Sequence, residues 1–335
     1  MTQTQTPAQL TEALLDAARK AGAEAADAIV IEGTSVSVDV RGGTLEHAER
    51  AEGMDLGLRV LIGQRQACVS SSDARAETLA NMAERAIAMA REAPEDPWAG
   101  LAEASQLSAW RDGSGLELHD PAPEPDPAML QDDACRAEAA ALAVRGISQI
   151  DVASASYGRR VVHLAATNGF SGGYLRSSRS VACVAITGEG TGMERDWASE
   201  GRIFQADLPS AESVGTQAGE RTVARAGARK PPSGTFPVLY DERVAASLIG
   251  HLVSAINGTA IARGSSWLRD ALGQQVLPAG LSLTEDPHRR RISGSRPFDA
   301  EGLPTARRLL VADGVLQGWV LDLATARKLG LESTA

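Results

Sequence analysis

Histidine and cysteine, the side chains that ligate transition metals most readily, are scarce in this sequence, with five and three copies among 335 residues. Cys68, Cys135 and Cys183 stand far apart and share no paired spacing, which argues against a disulfide framework and against a cysteine zinc site. Isolated cysteines of this kind read as small buried hydrophobes. His47, His119, His163, His251 and His288 include no pair at i, i+4 or i, i+5, so no helical face carries two imidazoles. His251 falls inside the apolar helical pattern from Ala245 to Ile256 and reads there as a packing residue. No stretch approaches the roughly 18 uninterrupted apolar residues of a membrane span. The segment Met1 to Leu10 is polar and has no basic region followed by an apolar run, so no secretion signal is read and the cytoplasm is the expected location.

An excess of basic charge is missing as well. The formal net charge of −10 argues against non-specific nucleic-acid binding, which needs Lys and Arg to neutralise phosphates. The short clusters Arg289-Arg290-Arg291 and Arg307-Arg308 read as solvated loop or strand charges. No Gly-x-Ser-x-Gly elbow occurs, and the serine runs at Ser70-Ser71-Ser72 and Ser177-Ser178 have no histidine nearby to act as base. Gly188, Gly190 and Gly192 lack the Lys-Ser/Thr of a phosphate loop and read as a turn between strands. No period of about 20 to 50 residues recurs, which excludes a solenoid or propeller.

What is present is an ordinary globular pattern, 43% hydrophobic and 23% charged, long enough for two or three domains. Leu10, Leu14, Ala17, Ala18 and Ala21 recur at helical spacing before Gly22, a candidate left-handed cap. Val36, Val38 and Val40, then Leu56, Leu58, Val60 and Ile62, alternate with polar residues around glycine punctuation, as in an antiparallel meander with one buried face. A helix is expected over 74–91. Between 93 and 127 lie six of the fifteen prolines, as in an irregular connection. A helix over about 128–145 follows, then strands near 150–157, 160–166, 172–176 and 180–187, with Asn168-Gly169 as a tight turn, and a helix over about 210–225. Arg229 to Gly234 is a linker, because its two prolines and glycine continue neither helix nor central strand. Beyond it the pattern predicts a strand at Phe236 to Tyr240, a helix from Glu242 to about Ile256, a hairpin turning at Asp313-Gly314 and a short helix over 322–329. The organisation is therefore an α+β subdomain over 1–92, a Pro-rich linker over 93–127, a middle α+β subdomain over 128–228, and a mainly β carboxyl-terminal domain over 235–335 that reads as incomplete. The fold class is α+β, an amino-terminal mixed antiparallel sheet with helices.

Several segments, in order, resemble one family. Ser35 to Glu46 with Gly57-Leu-Arg-Val60 and Ser70-Ser-Ser-Asp73 is similar to the amino-terminal signature of TldD/PmbA proteins. Thr191-Gly-Met-Glu-Arg-Asp-Trp197 resembles the TldE (PmbA) branch, and Arg296-Pro-Phe-Asp-Ala-Glu-Gly-Leu-Pro-Thr305, Asp313-Gly-Val-Leu-Gln-Gly318 and Ala326-Arg-Lys-Leu-Gly330 fit the same family. The resemblance implies a cytoplasmic heterodimeric metalloprotease acting on peptides and unfolded protein segments. Its catalytic TldD subunit carries a helix with His-Glu, three residues and a second His, in which two imidazoles hold zinc and the carboxylate serves as base. Laid on this sequence, the motif puts Ala246 at the first histidine, Ser247 at the glutamate and His251 at the second histidine. A further metal-binding cysteine of the family lies in a carboxyl-terminal region that this sequence does not include. The resemblance thus implies a TldE-type subunit with no catalytic residues and no metal or other cofactor of its own. Zinc is expected in a TldD-type partner, extended peptides as substrates, and neither membrane nor nucleic acid as a direct partner; a homodimer of the chain alone is also compatible. Two rival readings stand beside this one: a self-sufficient hydrolase that combines His251 with Asp241, Glu242 or Glu285, and an interaction protein that modulates DNA gyrase or toxin–antitoxin components.

Overall fold

A computed structural model describes residues 5–334; the first four residues of the polar amino-terminal stretch, and Ala335, lie outside it. Helix α1 (Pro7–Ala21) starts at Thr6, whose hydroxyl accepts the Gln9 N–H while the Gln9 side chain accepts the Thr6 N–H. It ends where Gly22 takes φ +101°, as the glycine cap predicts. Three strands follow as the expected meander: β1 (Ala25–Arg41), β2 (Thr44–Ile62) and β3 (Arg65–Ser71). After α2 (Ala76–Glu92) the chain wanders to α3 (Pro127–Leu142). It then re-enters the sheet as β4 (Ile147–Ala166), β5 (Ser171–Thr187) and β6 (Glu194–Arg202), and leaves through α4 (Ala211–Ala224).

The six strands form one antiparallel sheet in the order β3-β2-β1-β4-β5-β6, so the sheet is continuous across the Pro-rich connection. Two differences from the sequence pattern have separate causes. Strands β4 and β5 each run unbroken where the sequence suggests two pieces, because Gly158 and Ser178 are paired with each other and the ladder passes straight through them. Strand β6 has no strand pattern in the sequence, since a charged edge strand needs few apolar residues: only Asp196 and Ala198 of its length are buried.

Alternation assigns the two faces of the sheet. Ala26, Ala28, Val30, Val36, Val38 and Val40 of β1 all point to one face. There α1 and α2 cover one end with Leu56, Leu58 and Val60, and α3 and α4 cover the other with Ala153, Ala155, Val181 and Cys183. Each such Val or Leu, fully buried, contributes about 1.5–3 kcal/mol. Of the cysteines, Cys183 is buried as the sequence suggested, and burial among apolar neighbours, with Glu138 adding to it, pushes its thiol up to about 12. Cys68 departs from that expectation: it is exposed, because it alternates with the buried Ala67 and points to the face of the sheet that carries no helices.

The carboxyl-terminal part comprises α5 (Glu242–Ala255), α6 (Gly258–Arg263), a small antiparallel sheet of β7 (Leu283–Glu285), β8 (Arg308–Ala312) and β9 (Val315–Leu316), and α7 (Leu323–Leu329). The expected hairpin turns at Asp313 and Gly314, both at positive φ (+46° and +81°) as a tight turn of this type requires. Ile256, Val311, Leu316 and Trp319 form the core of this part. The strand expected at Phe236 to Tyr240 does not form: among the described residues nothing pairs with it, and Leu239 is 97% exposed. An extended apolar segment needs a neighbouring strand as much as β-branched side chains.

The basic cluster read as solvated charge is in part a clasp. Arg290 and Arg291 both grip Glu117, Arg291 also reaches Asp207 at 3.1 Å, and the Arg291 N–H donates to the Leu116 carbonyl at 2.9 Å. With Arg176, which donates to the carbonyls of Ser293 and Ser295, they fasten the 282–305 segment against the face of the sheet that carries no helices.

Candidate functional site

Helix α5 carries the residues singled out by the family motif. Asp241 caps it, its carboxylate accepting the Arg243 N–H at 3.0 Å, and Arg243 pins the helix to the sheet by donating to Asp196 at 2.8 Å and to the Trp197 carbonyl at 3.3 Å. Hydrogen bonds from Arg243 hold the Asp196 carboxyl below its ordinary value in spite of burial. Only Leu252 and Ala255 of the helix are buried. Ala246, Ser247 and His251 are all exposed, so His251 is not the packing residue that its apolar surroundings in sequence suggested. The Ser247 hydroxyl donates back to the Val244 carbonyl at 2.6 Å.

The donor set of α5 is therefore one imidazole, one methyl group and one hydroxyl already bonded to its own helix. Zinc requires three or four nitrogen, sulfur or carboxylate ligands. Among the described residues no group of three or more His, Cys, Asp or Glu side chains is placed to hold a metal ion, and these residues do not fit one. The rival hydrolase cluster is not assembled either. Asp241 lies ten positions before His251, about 15 Å along the helix axis, Glu242 faces Arg221, and Glu285 on β7 is engaged by Arg308 and Arg296.

A cleft that the sequence reading did not identify lies on the helix-free face of the sheet. Asp27 and Arg59 are cross-strand partners there, and Arg59 Nε donates to Asp27 Oδ2 at 2.7 Å. Opposite them the segment 298–303 folds tightly: Asp299 accepts the N–H groups of Glu301 and Leu303, and Gly302 sits at φ +78° with no room for a Cβ beside the Phe170 ring. Glu301 Oε2 accepts the Leu323 N–H at 2.9 Å. Burial pushes the carboxyls of Asp299 and Glu301 up, against the pull of these amides. Two cavities of about 470 and 600 Å³ adjoin at Ile29, Leu164, Ala300 and Glu301, forming one trough with an apolar floor and carboxylates along one side. Such a trough can hold an extended chain. Among the described residues it contains no nucleophile hydrogen-bonded to a base. Its only signal in the sequence is polar residues, Asp27 and Arg59, at strand positions that alternate away from the helix-packed ones.

Three family models match the chain: PmbA/TldA metallopeptidase domain 1 at residues 26–90, the central domain at 120–226 and the C-terminal domain at 233–335. Metalloprotease PmbA of Escherichia coli O157:H7 is 36% identical over 314 residues, which are 93% of this chain and 69% of that protein. The crystal structure of a candidate modulator of DNA gyrase from Bacteroides thetaiotaomicron superposes with a TM-score of 0.90 at 25% identity, over 97% of this chain and 74% of that one. TldE from Thermococcus kodakarensis shares the fold, with a TM-score of 0.78 at 17% identity over 97% of this chain and 72% of that one.

Proposed function

This chain belongs to the PmbA/TldD metallopeptidase family, and on that premise we propose that it is a TldE-type subunit without catalytic chemistry, which assembles with a TldD-type zinc subunit to process extended peptides. The observation that carries the proposal is the exposed α5 surface, where Ala246 and Ser247 stand at the positions that the family motif gives to a zinc-binding histidine and a general base. A methyl group cannot ligate a metal. A serine hydroxyl bonded to its own helix cannot take a proton from metal-bound water at neutral pH.

This subunit's contribution is to hold substrate and to complete the walls of the cleft. The trough between the sheet and the 298–303 segment suits an extended peptide, with Ile29 and Leu164 for apolar side chains and Glu301 for cationic ones. Phe236, Val238, Leu239 and Tyr240, continued by Val244, Leu248 and Ile249 of α5, present a contiguous stretch of exposed apolar side chains that supports assembly with a second polypeptide. Zinc content and cleavage of an unstructured peptide, measured for this chain alone and after mixing with a TldD-type protein, test the proposal. Metal and activity are expected only in the mixture; one equivalent of zinc and cleavage by this chain alone would overturn it.

A second reading, an interaction protein acting on DNA gyrase, draws on the description of the Bacteroides structure. Capture of gyrase in the absence of any TldD-type protein would favour it.

A further inference from the structure

Along β1 the odd-numbered positions from Asp27 to Ser37 alternate with the buried ones and share the helix-free face. Asp27 and Ile29 line the trough, whereas Ser35 and Ser37 line a further cavity of about 390 Å³. Both hollows also lie over β4, which gives Leu164 to the trough and Ser156 and Arg160 to the cavity, and both are bounded by the segment from Ser293 to Glu301. They are two ends of one groove, and their chemistry differs. Arg160 of β4 and Arg176 of β5 are direct cross-strand partners at the second end. Arg176 donates through both Nη atoms to the Ser293 and Ser295 carbonyls, which leave its charge uncompensated. Arg160 is exposed and forms no ion pair among the described residues. Its stem lies across Gly33 of β1, with Cγ 3.4 Å from the place a Cβ would occupy. No Asp or Glu lines this cavity, and Ser35, Ser37, Ser156 and Ser178 bring hydroxyl groups instead. In a chain of net charge −10, it is a local positive site.

We propose that this end of the groove receives the carboxyl terminus of an extended peptide, with Arg160 as the residue that pairs with it. The inference rests on the peptide-binding reading of the trough and adds to it a direction and a length. Guanidinium groups bind carboxylates through paired N–H donors, and the serine hydroxyls add donors of their own. The rest of the groove decides what carries the carboxylate: apolar Ile29 and Leu164 come next, and Glu301 at the far end suits a cationic group. A chain bound in this way has its amino-terminal end near Glu301 and its carboxyl end near Arg160, so it points in the same direction as β1. Asp27 and Gly33 are six positions apart on β1. At the rise of a strand this is about 20 Å, the span of an extended peptide of about six residues. A longer chain that continues past Arg160 brings no charge to this place. Short peptides are therefore favoured over internal stretches of a protein.

The test titrates the purified chain alone, at low ionic strength and followed by NMR, with the peptide Lys-Leu-Ala-Leu-Ala-Ser and, separately, with its carboxyl-terminal amide. The acid is expected to bind about three- to fivefold more tightly than the amide, the range of a solvent-exposed ion pair. The net charge of −10 by itself favours the amide, which carries one more positive charge, so a preference for the acid reports a local site. Arg160→Gln, at an exposed position, is expected to bring the acid down to the affinity of the amide and to leave the amide unchanged. Equal binding of the two forms by the parent, or a preference for the acid that persists in Arg160→Gln, overturns the proposal and leaves the trough as a peptide site. Saturable binding of neither form overturns both readings.

Discussion

His163 shows how a single residue acquires its properties from a partner far away in the chain. It lies on the helix-covered face of β4, with Nδ1 2.8 Å from the Thr11 hydroxyl of α1, and burial lowers its pKa from the ordinary 6.5. The native state therefore favours the neutral ring, while the unfolded chain takes up a proton near the ordinary value. Its contribution to stability is complete above that value and is lost as pH falls through the lower native one. Urea midpoints measured at about pH 7.5 and about pH 5.5 should fall more for the parent than for His163→Gln, from which this titration has been removed. Equal falls would mean that carboxylates alone govern the acid limb. The sequence displays His163 as one of five scattered histidines, and nothing local distinguishes it, because Thr11 is 152 positions away. The same holds for the cysteines: alike in sequence, Cys183 is central and buried while Cys68 is on an edge and exposed.

At the scale of elements, local chemistry made most of the helices and the first meander legible. The Thr6 cap, the Gly22 stop and the alternation of Val36, Val38 and Val40 are short-range signals whose causes lie within a few residues. How closely two helices approach is a longer-range matter. A Cβ on Gly215 of α4 would stand 2.0 Å from the Ala137 carbonyl oxygen of α3, a backbone atom with little freedom to yield. Replacing glycine in a helix gains about 1 kcal/mol of propensity, whereas overpacking costs about 1–3 kcal/mol, so Gly215→Ala should lower stability by up to about 2 kcal/mol. Gly250→Ala on α5, with nothing within 4 Å, should show the propensity gain alone. Denaturant unfolding of the two variants checks this, and a stabilised Gly215→Ala would mean that the helices separate freely. The expected strand at Phe236 to Tyr240 is absent for the complementary reason, since its composition is that of a strand but no neighbour among the described residues bonds it.

Over the whole molecule, the apolar face running from Phe236 to Ile249 is where the packing stops short. Val244 and Leu248 lie one helical turn apart and are exposed, so Val244→Asp with Leu248→Asp should change the stability of the isolated chain by no more than about 0.5 kcal/mol per site. The same double variant should lose association with a TldD-type protein in analytical ultracentrifugation; retained association would move the interface elsewhere.

Most of the helices, the first meander and the resemblance to a metallopeptidase family, with Ala246 and Ser247 expected at its histidine and glutamate positions, could be read along the chain. These are one-dimensional facts, since spacing and identity along the chain suffice to state them. That β1 joins β4 to make one sheet, that Asp27 and Arg59 face Glu301 across a trough, and that Arg160 and Arg176 share a cavity became visible with the folded chain. Those pairings depend on strand register and on segments that meet from more than a hundred positions apart, and alternation along one strand carries no information about which strand will lie beside it.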